Sequence, residues 1–296
     1  MRAAASTILM LLAILLAPAA VRTASAELLG PYKDDLFTYP KALETGDGGA
    51  YLSVDYRSER DINQRDEIPE KRVYSRYVDL APRRVQQDLN LVTDVGRIPH
   101  VAVGEREGAK FIVVYVHGQG GSRLQGMNDF TFGGNFNRIK NLAARNGGLY
   151  LTVDFSNFEA AGASQVSHLI STYAGASPRA KVFVACGSMG GRICWALAAD
   201  KRVVPKLGGL LLLGSHWDNS FLRSPAFQAR VPVYFGHGGA DKVFPVEKQE
   251  AFFRSILARD PNYPARFVRF ETGSHGTPIR MVDWRHTLNW MASASR

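Results

Sequence analysis

The stretch from Lys181 to Gly191, KVFVACGSMGG, runs an apolar strand straight into a turn of small residues around Ser188. A strand that ends on one serine, with a helix starting at once, lifts the hydroxyl clear of the backbone and offers it as a nucleophile. So tight a turn usually needs glycine two residues before and two after the serine. Those positions are Cys186 and Gly190, with Gly187 and Gly191 adding room. The other use of a glycine-rich strand-to-helix turn is to pack a helix closely or to hold a phosphate. A phosphate loop requires Lys followed by Ser or Thr, and a dinucleotide site requires three spaced glycines near the first strand of its domain; neither pattern is present. A serine hydroxyl also needs a base to take its proton and an acid to fix that base. Downstream, VPVYFGHGG leads to Asp241, and ARFVRFE leads to His275 in a loop rich in Gly, Ser and Pro. Imidazole titrates near neutrality, so His275 can accept the serine proton and return it to the leaving group while Asp241 fixes its tautomer.

The order Ser, Asp, His, with acid and base each just past the carboxyl end of a strand, resembles that of the α/β-hydrolase fold. From Lys110 to the C-terminus the chain is similar to small carboxylesterases and lysophospholipase-like serine hydrolases. Upstream, FIVVYVHGQGG from Phe111 to Gly121 resembles the strand ending in His-Gly whose following loop donates a backbone N–H to the oxyanion. The resemblance implies Gln119 as that donor, Met189 as the second, and an acyl-enzyme on Ser188.

Each of these residues has a competing reading. Asp241, before Lys242 and a helix, also suits a helix cap, and Asp218 in GSHWDN, one strand earlier, is the rival acid. Six further histidines are present: His100, His117, His168, His216, His237 and His286. Only His275 follows the last strand. His117 belongs to the His-Gly motif and is read as structural, whereas His216 and His237 stand at strand ends where they could line a pocket.

These side chains need a frame that brings strand ends together. After Gly121 the segments LYLTVDF, AKVFVACG, GGLLLLG, VPVYFG and ARFVRF alternate with helical stretches, Met189 to Asp200 among them. Alternation of that kind predicts an α/β fold with a mostly parallel central sheet and helices on both faces. Residues 27–109 read as an N-terminal extension whose YLSVDY, RVYSRYV, DLNLVT and HVAVGE are short strands forming an antiparallel edge, the last two joined at Asp94-Val95-Gly96-Arg97. SERDINQRDEIPEKR between them reads as a solvated charged loop. Residues 110–296 make the catalytic core, and 27–296 count as one domain, since about 270 residues suffice for one large core and are too few for two.

Ahead of this, Arg2 precedes ILMLLAILLAPAA and then Ala24-Ser25-Ala26, the pattern of a secretory signal peptide over residues 1–26 cleaved after Ala26. Pro18 interrupts a run already shorter than the roughly twenty residues of an anchor. The expected mature protein is exported, to the periplasm or beyond. The chain has 36 basic and 27 acidic side chains, a net charge of +9, and Arg2 and Arg22 leave with the leader. The remaining basic residues are scattered with no aromatic-interleaved stripe, which argues against nucleic acid and leaves at most weak association with anionic surfaces. Two cysteines, Cys186 and Cys194, are too few for a disulfide-built scaffold and are read as buried free thiols. Without CxxC or HExxH, no metal or cofactor is expected.

The link between Gly214 and Val231 is too short for a large helical lid, which favours short-chain, soluble or polymer-borne esters, with FTFGGNF from Phe130 to Phe136 as a candidate acyl wall. The function expected is an exported serine hydrolase of carboxylic esters. Two alternatives remain: an acyltransferase or deacylase of an envelope lipid or polysaccharide using the same three residues, and a non-catalytic binding protein that keeps the fold. The substrate and the oligomeric state stay open.

Overall fold

The computed structural model describes residues 27–295, so the expected leader lies outside the described residues. Among the described residues twelve strands form: β1 Ala42–Gly46, β2 Tyr51–Val54, β3 Asp66–Glu67, β4 Arg72–Val73, β5 Gln86–Thr93, β6 Gly96–Gly104, β7 Phe111–Val116, β8 Leu149–Val153, β9 Lys181–Gly187, β10 Leu207–Leu213, β11 Val233–Gly238 and β12 Ala265–Phe270. Ten of them make one sheet in the order β1-β2-β12-β11-β10-β9-β7-β8-β6-β5. From β2 to β8 all neighbours run parallel. The two outer ladders, β1 on β2 and β8-β6-β5, are antiparallel.

The central strands are apolar without interruption because both faces are covered. On β7, Ile112, Val114 and Val116 join one core and Phe111, Val113 and Tyr115 the other. Helices Ala160–Ala176, Gly191–Ala199 and Val246–Arg259 close the first face with Leu169, Ile193 and Phe253. Helices Asn135–Arg145 and Trp284–Ala294 close the second with Ile139, Trp284 and Leu288. Each such fully buried side chain contributes about 1.5–3 kcal/mol. Among the described residues no helix is long and apolar enough to cross a membrane.

The N-terminal strands divide between the two edges. DLNLVT and HVAVGE give the β5–β6 hairpin, whereas YLSV crosses to the far side as β2, parallel to β12. RVYSRYV does not join the sheet: Arg72–Val73 pairs only with Asp66–Glu67, and Ser75–Tyr77 forms a 3-10 turn. Tyr77 is drawn instead into a cluster with Val73 and Phe37, and the Arg65 guanidinium lies 4.8 Å from its ring.

The charged run departs most from expectation. Asp61, Arg65 and Asp66 are buried, not solvated. The Asp66 carboxylate takes two contacts from the buried Arg280 guanidinium, which also donates to the Asp61 carbonyl at 3.1 Å, while the Asp61 carboxylate pairs with Arg60 at 2.7 Å. Arg65 donates to the Gly133 carbonyl at 2.9 Å, and burial followed by the nearby Arg280 charge pulls its pKa down to about 10. Charges leave water only when paired in this way. The same logic covers Arg138, fully buried and held between Asp34 and Asp283 at 3.0 Å each, and Lys140, 2.6 Å from Asp129.

Candidate active site

Ser188 directly follows β9 with φ of 51°, a left-handed backbone in a residue other than glycine. Such a conformation costs about 1–3 kcal/mol and persists only where its surroundings enforce it. Three contacts do so. The Ser215 hydroxyl donates to the Ser188 carbonyl. A side chain at Gly190 would put Cβ 2.7 Å from the His117 carbonyl oxygen, and one at Gly118 would put it 2.8 Å from Ser188 Cβ, so neither position admits one. The strand end, the turn and the loop after β7 are therefore in van der Waals contact.

Cys186, two residues before Ser188, occupies the usual glycine position. It is not a free thiol: Cys186 and Cys194 are disulfide-bonded, with Cα atoms 6.3 Å apart. This corrects the expectation of two thiols. The residue two before the serine faces the helix that follows it, and Cys194 stands on the buried side of that helix. The space that glycine would leave for close packing is taken by a covalent link between strand and helix.

The three expected residues meet. His275 Nε2 is 2.8 Å from Ser188 Oγ, and its Nδ1–H donates to Asp241 Oδ2, also at 2.8 Å. Asp241 Oδ1 accepts the Val243 and Phe244 amides at 2.8 and 3.1 Å. Burial would raise the pKa of this carboxyl, but the hydrogen bonds from His275 and the two amides outweigh it and hold the group below the usual range. Asp241 thus stays ionised, with one oxygen committed to the loop and the other to His275. The rival, Asp218, caps the 3-10 turn Asn219–Arg223 through the Ser220 amide.

His237, expected to line a pocket, instead sits buried behind Asp241. Its Nε2–H donates to the Phe244 carbonyl at 2.8 Å and lies 3.3 Å from Asp241 Oδ2. Burial pulls its pKa down, so it acts as a neutral donor. Ser215 is a residue at this centre to which the sequence gave no role, and His237 has a different one from that expected. The available signal is position: Ser215 comes just after β10 and His237 in the last residues of β11. His117 is structural as expected: Nδ1–H donates to the Gly118 carbonyl at 2.8 Å and the ring stacks on Phe155 at 4.5 Å.

Of the two expected oxyanion donors, one is the nucleophile's chain neighbour and the other the chain neighbour of Gly118, which packs on Ser188. Met189 follows it directly, and Gln119 follows Gly118 in a turn closed by the Gly121 amide on the Gly118 carbonyl. Of the candidate acyl wall, Phe136 is buried against Tyr115 and Phe130 lies under the Arg72 guanidinium. Only Phe132 reaches the site, 3.6 Å from where a Cβ on Gly276 would stand. On the other side an open groove of about 1100 Å³ is lined by Met189, His216, Trp217 and Phe244. His216 lines it as expected, its pKa lowered by burial and by the Arg192 charge. Among the described residues no group of three His, Cys, Asp or Glu side chains is arranged to hold a metal ion.

No protein-family model matches this chain, and no curated protein matches it in sequence. Solved structures do resemble it. A protein of unknown function from Agrobacterium tumefaciens, described as a putative alpha/beta hydrolase, superimposes with a TM-score of 0.54 at 15% identity over 69% of this chain and 93% of its own. A thermostable esterase gives 0.55 at 16% identity over 72% of this chain and 64% of its own. An alpha-beta serine hydrolase homologue from Coxiella burnetii gives 0.51 at 17% identity, over 69% and 95%. The chain has the α/β-hydrolase fold.

Proposed function

We propose that this chain is an exported serine hydrolase that cleaves carboxylic esters through an acyl-enzyme on Ser188. One observation carries the proposal: Ser188, in its left-handed turn, is in hydrogen-bond series with His275 and Asp241 at 2.8 Å for each link. Ser188 Oγ attacks the ester carbonyl carbon as its proton passes to His275 Nε2. The carbonyl oxygen takes the electron pair and is held by the Gln119 and Met189 amides, each such donor being worth a hundredfold or more in rate. When the C–O bond breaks, the alcohol leaves with the proton from His275. Water then attacks the acyl carbon, His275 takes its proton, and Ser188 is released with the acid.

The fold that the chain shares with esterases supports the reaction class, and the openness of the groove to water favours hydrolysis over acyl transfer. The leader pattern at residues 1–26 supports export, as does a disulfide that uses both cysteines.

A fluorophosphonate probe tests the nucleophile without knowledge of the substrate. The expected result is a single adduct on Ser188, hydrolysis of p-nitrophenyl acetate, and loss of both in Ser188→Ala. A folded protein that takes no label and hydrolyses no short ester overturns the proposal.

A further inference from the structure

The groove beside Ser188 is larger and more polar than a short acyl ester requires. Met189 and Phe244 connect it to the reacting residues, the Phe244 ring lying 5.6 Å from that of His275. Phe158 and Trp217 add two more half-buried aromatic rings to its lining. Glu159, Arg192, Asp218, Asn219 and Ser220 share the lining with them. A space of about 1100 Å³ exceeds the 300–1,000 Å³ or so that holds a typical small ligand.

Three classes of occupant can be compared on this lining. A long acyl chain could rest on Met189, Trp195, Ala196 and Ala199, but it would also cover Glu159, Asp218 and Arg192, stripping charged groups of water without a hydrogen bond in exchange. An anionic polymer would meet a single cation, Arg192, already shared with Glu159 at 3.5 Å, and the second carboxylate of Asp218. A chain of neutral sugars suits both features. The C–H faces of a pyranose ring are flat and apolar and lie on aromatic rings, while its rim of hydroxyls can donate to Glu159 and Asp218 and accept from Asn219 and Arg192.

We infer that the groove binds a neutral oligosaccharide, and that the ester presented to Ser188 is an acyl group carried on one of its sugars. The second half rests on the ester-hydrolase reading above; the first stands without it. Binding and turnover are therefore measured separately. Ser188→Ala is titrated with unacylated cellotetraose, following tryptophan fluorescence. Wild-type kcat/KM is measured on O-acetylated glucosides of one to four sugar units and on p-nitrophenyl esters of two to twelve carbons.

The inference expects saturable quenching and a kcat/KM that rises at least tenfold from one sugar to four. Trp217→Ala, with Phe158→Ala as a second variant, is expected to flatten that rise. Quenching without cleavage of any ester overturns the hydrolase reading and upholds the groove. No quenching, with rates indifferent to sugar number, overturns the groove while hydrolysis stands. Rates that climb with acyl length instead assign the groove to lipid and overturn the inference.

Discussion

Replacing Asp241 by Asn changes one atom, and the structure dictates how the site responds. Oδ1 of Asp241 accepts two backbone amides, from Val243 and Phe244, and amides of a fixed loop cannot become acceptors. The asparagine oxygen must therefore take that position, and its NH2 group must face His275 Nδ1. Two donors cannot share that hydrogen bond, so the imidazole moves its proton to Nε2, 2.8 Å from Ser188 Oγ. The base then donates to the nucleophile that it should deprotonate. Loss of the correct tautomer is worth about 10⁴ in kcat, or roughly 5.5 kcal/mol of transition-state stabilisation. Neither the groove lining nor the Ser188 turn is altered, so KM is expected to stay within about threefold. The assay is steady-state hydrolysis of p-nitrophenyl acetate, with a thermal melt to confirm folding. Asp218→Asn is the control: asparagine caps a helical turn as well as aspartate does, so the loss there is expected to be under about threefold. A loss below tenfold in Asp241→Asn, or a greater loss in Asp218→Asn, refutes this assignment of the acid.

Two further predictions concern residues around the centre. His237→Phe leaves the Phe244 carbonyl without its buried donor, a penalty of about 1–3 kcal/mol, and loosens the loop that presents Asp241. Kcat is expected to fall with KM little changed and to recover in part in His237→Gln; an unaltered kcat argues for a purely structural histidine. The Cys186–Cys194 link closes a short loop with a sequence separation of 8, for which chain entropy gives about 2.5 kcal/mol. Cys194→Ala and reductant on the wild type are each expected to lower Tm by roughly 5–10 °C; because both sulfurs are buried, thiol titration of the denatured, unreduced protein decides, and two free thiols refute the link.

What could be read from the sequence was local. The apolar runs of β7, β9, β10, β11 and β12 and the glycines after them mark strand ends within a few residues, so Ser188, Asp241 and His275 were each legible where they stand. What could not be read was contact between segments far apart in the chain. Asp66 and Arg280 are separated by 214 residues, and without the partner in view a run of alternating charges reads as solvated. Val73 and Tyr77 alternate like a strand, but the aromatic cluster with Phe37 and the cation of Arg65 outweighs that pattern. Cys186 and Cys194 lie close in sequence, yet their pairing depends on the helix turning back over the strand end. His237, at a strand end, reads as a pocket residue, but the loop after β11 folds back so that Phe244 and Asp241 cover it.

The buried charges also bear on which parts of this chain could be exchanged or trimmed. Arg280 leaves the helix that follows His275 to pair with Asp66, and Arg138 leaves the second helical layer to pair with Asp34. A chain begun at residue 110 would keep every residue of the proposed chemistry but strand Arg280, and would leave Arg138 with Asp283 alone. A buried charge that loses its partner costs about 3–5 kcal/mol, a large share of the whole stability of an ordinary domain. Recombination with a relative that lacks the charged run would fail for the same reason unless Arg280 changed with it. The first eighty-odd described residues are thus inherited together with the catalytic half, as matched parts of one electrostatic lock.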